Sequence, residues 1–156
     1  MPCMRVLANT SPLIALDRIG RLHLLPQLYG KIVRPQAVVE ELRAGRTAYP
    51  GSEPLFTADW LITEPDPPEM VLRKELGAGE TAVLTLALNT RADLVILDDL
   101  QARLVAVGLG LRVTGTLGVL LAAHHTGIEP DVRKAVTDLR AAGFYLSDDL
   151  LNGILK

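Results

Sequence analysis

Short apolar segments alternate with helical segments along almost the whole chain, and this alternation constrains the fold more than any other feature. Five aliphatic segments have the pattern of buried strands, at residues 5–8, 31–33, 60–63, 94–97 and 111–113. Segments with apolar residues at helical spacing separate them. Strands and helices in this order form right-handed βαβ units, which predicts a mostly parallel sheet with helices on both faces.

Start and stop signals set the bounds of the helices. We predict helices at residues 12–19, 22–29, 35–44, 69–76, 80–89, 101–107, 116–125, 131–142 and 148–155. Ser11 is the predicted cap of the first helix and Pro12 its first residue. Residues 77–79 are predicted to end the helix at 69–76, before the next helix starts at Glu80. Residues 46–59 lack periodicity and contain prolines and a glycine, which predicts a loop.

The composition agrees with one aliphatic domain. The chain has 156 residues, of which 49% are hydrophobic and only 4% are aromatic, so leucine, valine, isoleucine and alanine must build the core. That bias is typical of parallel strands buried between helices. We therefore predict a single domain over residues 1–156, with a three-layer α/β/α fold and a mostly parallel central sheet.

Charge and cysteine content exclude several classes of protein. The net charge of −2 excludes a protein that coats nucleic acids, so any nucleic-acid contact must be local or assisted by metal ions. Cys3 is the single cysteine, which excludes an intrachain disulfide and a cysteine zinc site. The sequence has neither an apolar run of about 18–20 residues nor the layout of a signal peptide, so we expect a cytoplasmic protein without membrane contact.

Polar side chains follow three of the predicted strands, where ligands bind in sheets of this kind. They are Asn9-Thr10-Ser11, Asp98-Asp99 and Thr114-Gly115-Thr116. Two predicted helices add Glu41 and Glu80. Several carboxylates without histidine or cysteine suit a hard divalent cation, which would bridge to a phosphate and activate water. We therefore expect Mg²⁺ or Mn²⁺ at this edge of the sheet.

Several of these residues also have a purely structural interpretation. Asn9 is a common helix cap, and Glu80 could complement the dipole of a first helical turn. One of Asp98 and Asp99 could cap the following helix. Arg103 could contact a phosphate or hold the acids in place.

The helical pattern separates two adjacent glutamates. Neighbouring positions of a helix point about 100° apart, so Glu40 and Glu41 cannot both face one site. Val38 and Leu42 mark the apolar face. Glu41 lies next to that face, which favours it over Glu40.

Five segments, none specific by itself, carry a resemblance to a known family through their order and spacing. They are NTSPLI at 9–14, PQAVVEEL at 35–42, LGAGETA at 76–82, LDD at 97–99 with Ala102-Arg103, and VTGT at 113–116. The chain thereby resembles the PIN domain family nearly end to end, and more narrowly the VapC-like proteins of prokaryotic toxin–antitoxin modules. The resemblance implies a compact α/β/α fold and a divalent-metal ribonuclease acting on single-stranded RNA.

The resemblance also implies the order of the site residues. The first acid of the family falls on Asn9, the second on Glu41, the third on Glu80, and the last on Asp98 or Asp99. The chain departs from the family twice, because position 9 is an asparagine and because threonines replace a further acid often found after the fifth strand. The missing charge favours an alternative function, a PIN-fold module that binds RNA or a protein without cleavage.

The expected site has three parts. Catalysis is expected from Glu41, Glu80, Asp98 and Asp99, which bind the metal together with Asn9. Substrate contacts are expected from Thr10, Ser11, Arg103, Thr114 and Thr116. The expected partners are RNA, a second copy in a homodimer, and possibly an antitoxin protein.

Overall fold

A computed structural model describes residues 4–45, 52–68 and 76–144 of the chain. Its strands are β1 (Val6–Ala8), β2 (Ile32–Pro35), β3 (Leu61–Glu64), β4 (Leu94–Ile96) and β5 (Val113–Thr114). Its helices are α1 (Thr10–Arg18), α2 (Leu24–Tyr29), α3 (Gln36–Ala44), α4 (Pro54–Thr57), α5 (Ala78–Thr90), α6 (Leu100–Gly108), α7 (Thr116–His125) and α8 (Val132–Ala141).

The five strands form one parallel sheet in the order β3-β2-β1-β4-β5. The predicted three-layer α/β/α fold is confirmed. Helix α5 packs against β1, β2 and β4, whereas α7 packs against α1, α2 and α8. All three residues of β1 are buried, as expected for a central strand covered by helices.

Aliphatic side chains fill the core, as the composition predicts. The largest fully buried side chains are all leucine or isoleucine, among them Leu7, Leu16, Ile32 and Leu84. Helix α5 is buried on almost every side, which is why its sequence shows no clear polar face. None of the described helices combines the length and hydropathy of a membrane span.

The predicted bounds differ from the observed ones most in three places. Helix α1 begins at Thr10 with Asn9 in the cap position, so Ser11 and Pro12 already lie within its first turn. Helix α5 begins at Ala78 with Gly77 in the cap position, two residues before the predicted start at Glu80. The predicted loop at 46–59 contains the one-turn helix α4.

Two predicted elements cannot be compared. The predicted helix at 148–155 and nearly all of the one at 69–76 lie outside the described residues. The helix predicted at 116–125 has the observed bounds of α7. Its neighbour α8 starts one residue after Asp131, whose side chain accepts a hydrogen bond from the Lys134 N–H and caps the helix.

Candidate metal and nucleic-acid site

The strand order reverses between β1 and β4, at the middle of the sheet. The chain moves from β1 outward to β2 and β3, then crosses back through α5 to β4 on the other side of β1. In open α/β sheets, ligands bind in the crevice beyond the strand ends at this reversal. The Asn9 N–H donates to the Ile96 carbonyl at 3.0 Å, so the residues that follow β1 and β4 meet there.

Asn9 is buried at this point and its side-chain oxygen has no partner. The residue is 5% exposed, and its Oδ1 accepts no hydrogen bond. Although Asn9 occupies the cap position of α1, its side chain makes no capping hydrogen bond. An unsatisfied buried acceptor costs about 1–3 kcal/mol. The capping interpretation therefore does not explain this side chain.

Glu41 faces the crevice and is held by two donors. The Thr10 hydroxyl donates to its Oε2 and the Gly79 N–H to its Oε1, each at 2.8 Å. Glu40, which is exposed like Glu41, has other partners, because Gln36 and Arg43 donate to it. The two glutamates thus point apart as the helical pattern predicts.

Gly79 leaves space for the Glu41 carboxylate because it has no side chain. A Cβ on Gly79 would approach the carboxylate more closely than real side chains do, with the carboxyl carbon at 2.8 Å. The sequence pattern predicts this glycine only as part of a segment that ends a helix. The feature that could have indicated its contact with Glu41 is its position one residue before Glu80, in the family-like segment at 76–82.

The pKa of Glu80 is affected by other acids of the site. Its Oε1 accepts a hydrogen bond from the Gly77 N–H at 2.9 Å, so it supports the first turn of α5. Burial raises the pKa of Glu80, and the charges of Asp99 and Glu41 raise it further, against the lowering by the Gly77 hydrogen bond. The negative charges of Asp99 and Glu41 therefore act on the Glu80 carboxylate.

The two adjacent aspartates have different surroundings. Asp98 accepts hydrogen bonds from both donors of Thr116, from its N–H at 2.7 Å and from its hydroxyl at 2.5 Å. Asp99 caps α6 by accepting from the Ala102 N–H at 3.0 Å. Only Asp99 contributes to the pKa of Glu80. Asp99 thus lies nearer the glutamates, whereas Asp98 is bonded to the first residue of α7.

A cavity of about 670 Å³ opens on the other side of the aspartates. Its polar wall consists of Ser11, Asp98, Asp99, Arg103, Thr114 and Thr116, and its apolar wall includes Ala15, Leu117, Leu121, Leu139 and Phe144. Asn9, Thr10, Glu41 and Glu80 do not line it. The apolar wall was missed in the sequence because its leucines have the spacing of ordinary core positions in helices.

The expected substrate residues divide between these two regions. The hydroxyls of Thr10 and Thr116 donate to the acids. Ser11, Thr114 and Arg103 line the cavity. Arg103 is exposed and forms no ion pair with any described residue, which leaves its guanidinium available to an anion.

The chemistry of the donors fits a hard divalent cation. Carboxylates that repel one another beside an unpartnered amide oxygen are what such an ion neutralises. Within the described residues, however, no three acidic, histidine or cysteine side chains already stand close enough to coordinate an ion.

Comparison with known proteins identifies the family. A PilT N-terminus domain protein of the hyperthermophilic archaeon Sulfolobus solfataricus P2 has a similar structure, with a TM-score of 0.60 at 16% identity, over 77% of this chain and 93% of that protein. At that identity the similarity concerns the fold alone. No curated protein matches the sequence. PIN domains are in general nucleases that depend on divalent metals. The PIN domain family model matches residues 5–156, and the chain therefore belongs to the PIN domain family.

Proposed function

We propose that the protein is an endoribonuclease that cuts single-stranded RNA with Mg²⁺ or Mn²⁺. The proposal is carried by the Glu41 carboxylate, which accepts a hydrogen bond from the Gly79 N–H on the first turn of α5, one residue before Glu80. Burial, with smaller contributions from the charges of Asp99 and Glu41, raises the pKa of Glu80. Glu41, Glu80 and Asp99 would hold the metal. Asn9 would supply a neutral oxygen, because its buried Oδ1 lacks any other partner.

The hydrogen bonds suggest a role for each residue of the proposed site. Thr10 and Gly79 orient Glu41, and the Ala102 N–H orients Asp99. Asp98 accepts both hydrogen bonds of Thr116 and so positions the start of α7; we assign it no metal contact. Arg103 contacts a phosphate at the rim. When bound, the cation would activate a water and stabilise the charge that develops on the phosphate.

Single-stranded RNA as substrate agrees with the charge of the site. The net charge of −2 does not favour binding along the backbone of a duplex. A crevice with acids and one available guanidinium can hold a phosphate locally, through the cation and through Arg103.

A cleavage assay tests the proposal. Mixed single-stranded RNAs are incubated with the full chain in Mn²⁺, and the same reactions are run with EDTA and with Asp99→Asn. We expect cuts within the strand in Mn²⁺ only, and none with the variant. Cleavage that persists in EDTA or in Asp99→Asn would contradict the assigned site.

A second candidate function is binding without cleavage. It is favoured by Asn9, which stands where the family has an acid, and by the lack of a preassembled acid cluster in the described residues. RNA retardation in a gel without any cut in Mn²⁺ would support it.

The main proposal also includes pairing into a homodimer and binding of an antitoxin protein. A monomer mass at high concentration in light scattering would contradict the homodimer.

A further inference from the structure

The cavity beside the aspartates is lined by both charged and apolar side chains. Asp98 and Asp99 line it together with Leu117, Leu121 and Phe144. Its volume of about 670 Å³ lies in the range of pockets that bind small organic ligands. A ligand that suits both kinds of side chain combines an apolar face with a polar edge.

We infer that this cavity binds one unstacked nucleobase of the RNA, next to the phosphate that is cut. The inference rests on the proposed function, because it uses the same RNA and the same aspartates. Asp99 is one of the acids proposed to hold the metal, and it also lines the cavity. A phosphate at the acids therefore places a neighbouring nucleotide at the cavity entrance.

The charges decide which part of the nucleotide enters. Two aspartates in the wall repel a phosphate, so the neutral base goes in and the phosphate stays outside. Arg103 lies on the cavity wall with its guanidinium about 3.0 Å from where a Cβ of Gly115 would be, and it can hold that phosphate.

The walls also suit the faces and edges of a base. Unstacked bases in single-stranded RNA pack on aromatic and apolar side chains, which Phe144 and the leucines provide. Carboxylates accept hydrogen bonds from the amino groups of bases. Asp98 already accepts from Thr116, but each carboxylate oxygen has a second acceptor position. The cavity therefore favours a base that carries an amino group.

An abasic scan of a short RNA tests the inference. A labelled single-stranded RNA that is cut at one phosphate is remade with one abasic residue at each position in turn, and cleavage by the full chain is measured in Mn²⁺. Loss of one stacked base corresponds to about 5- to 150-fold. We expect that loss at one nucleotide adjacent to the cut, with little effect elsewhere.

Variants connect the effect to the cavity. In Phe144→Ala the abasic penalty should shrink toward unity, because the base has already lost its stacking surface. Phe56→Ala is the matched control, since Phe56 is similarly half-buried but does not line the cavity; it should keep the full penalty. Leu121→Ala serves as a second cavity variant if Phe144→Ala does not fold.

The outcomes separate this inference from the proposed function. Cleavage of intact RNA with no abasic penalty at any position, or with a penalty unchanged in both cavity variants, overturns the base site alone. If intact RNA is not cut, the nuclease proposal fails, and fluorescence anisotropy of the same RNAs in EDTA decides the base site. A position-specific loss of affinity then supports it; uniform affinity or no binding overturns it.

Discussion

Replacing Gly79 with alanine displaces Glu41 without changing any charge. The new Cβ would lie 2.8 Å from the Glu41 carboxyl carbon, whereas ordinary contact begins at 3.4 Å, so the carboxyl group must retreat by at least about 0.6 Å. Glu41 is exposed at its outer side and ends a flexible side chain, which gives it space to move. The fold should therefore survive while the metal site is distorted.

The expected magnitudes differ for stability and for metal binding. Alanine gains up to about 1 kcal/mol of helix propensity over glycine, which offsets part of the lost hydrogen bonds to Glu41. A carboxylate attracts a divalent ion by about 8 kcal/mol at 4 Å and an effective dielectric of about 20, and a retreat of about 0.6 Å removes about 1 kcal/mol. We expect Mn²⁺ affinity to fall at least about fivefold, with unfolding free energy within about 1–2 kcal/mol of wild type.

Titration calorimetry with Mn²⁺ and urea unfolding in EDTA measure the two quantities. Gly77→Ala is the matched control. It lies at the start of the same helix, but its Cβ would be at ordinary contact, 3.4 Å from Glu80 Oε1. It should lose about 0.5–1 kcal/mol as a poorer cap and keep its Mn²⁺ affinity. Equal Mn²⁺ affinity in both variants and wild type would refute the assignment of Glu41 to the metal site.

Four further predictions concern single side chains. Asp99→Asn keeps the helix cap, since asparagine caps as well as aspartate, and relieves repulsion, so in EDTA its melting temperature should equal or exceed that of wild type; a lower value would contradict the repulsion. Asn9→Asp should tighten Mn²⁺ binding and lower the stability of the metal-free protein, and equal Mn²⁺ affinity in calorimetry would mean that residue 9 does not face the metal. Arg21→Met leaves the buried Glu129 without its cation and should lower the free energy of unfolding in urea by about 3–5 kcal/mol. A loss below about 1 kcal/mol would show that this ion pair is screened like a surface pair. Hydrogen bonds from Lys134 and Arg21 lower the pKa of Asp138, so its contribution to stability is complete above the unfolded value of about 3.9. That contribution is lost as the pH falls through the lower pKa of the folded state. Asp138→Asn should therefore have a lower free energy of unfolding than wild type at pH 7, and this difference should disappear in acid.

The candidate site shows how much can be predicted from local sequence patterns. The position of Glu41 beside the apolar stripe of its helix, and the strand ends that carry Asn9 and the two aspartates, could be predicted from periodicity. The different hydrogen bonds of Asp98 and Asp99 could not be predicted in this way. The partner of Asp98 is Thr116, 18 residues along the chain, and Glu80 comes near Asp99 only when α5 packs on the sheet.

The sequence alone determined the parallel α/β fold, because aliphatic strands alternating with amphipathic helices leave few other ways to bury the apolar side chains. It also determined which polar residues follow the strands. The tertiary structure decided how those residues pair: Asn9 does not cap its helix, Gly79 accommodates Glu41, and α7, α8 and Phe144 close a cavity beside the aspartates. The physical reason is that helical and strand periodicity are local, whereas hydrogen-bond partners and cavity walls come from segments that meet only when the layers pack.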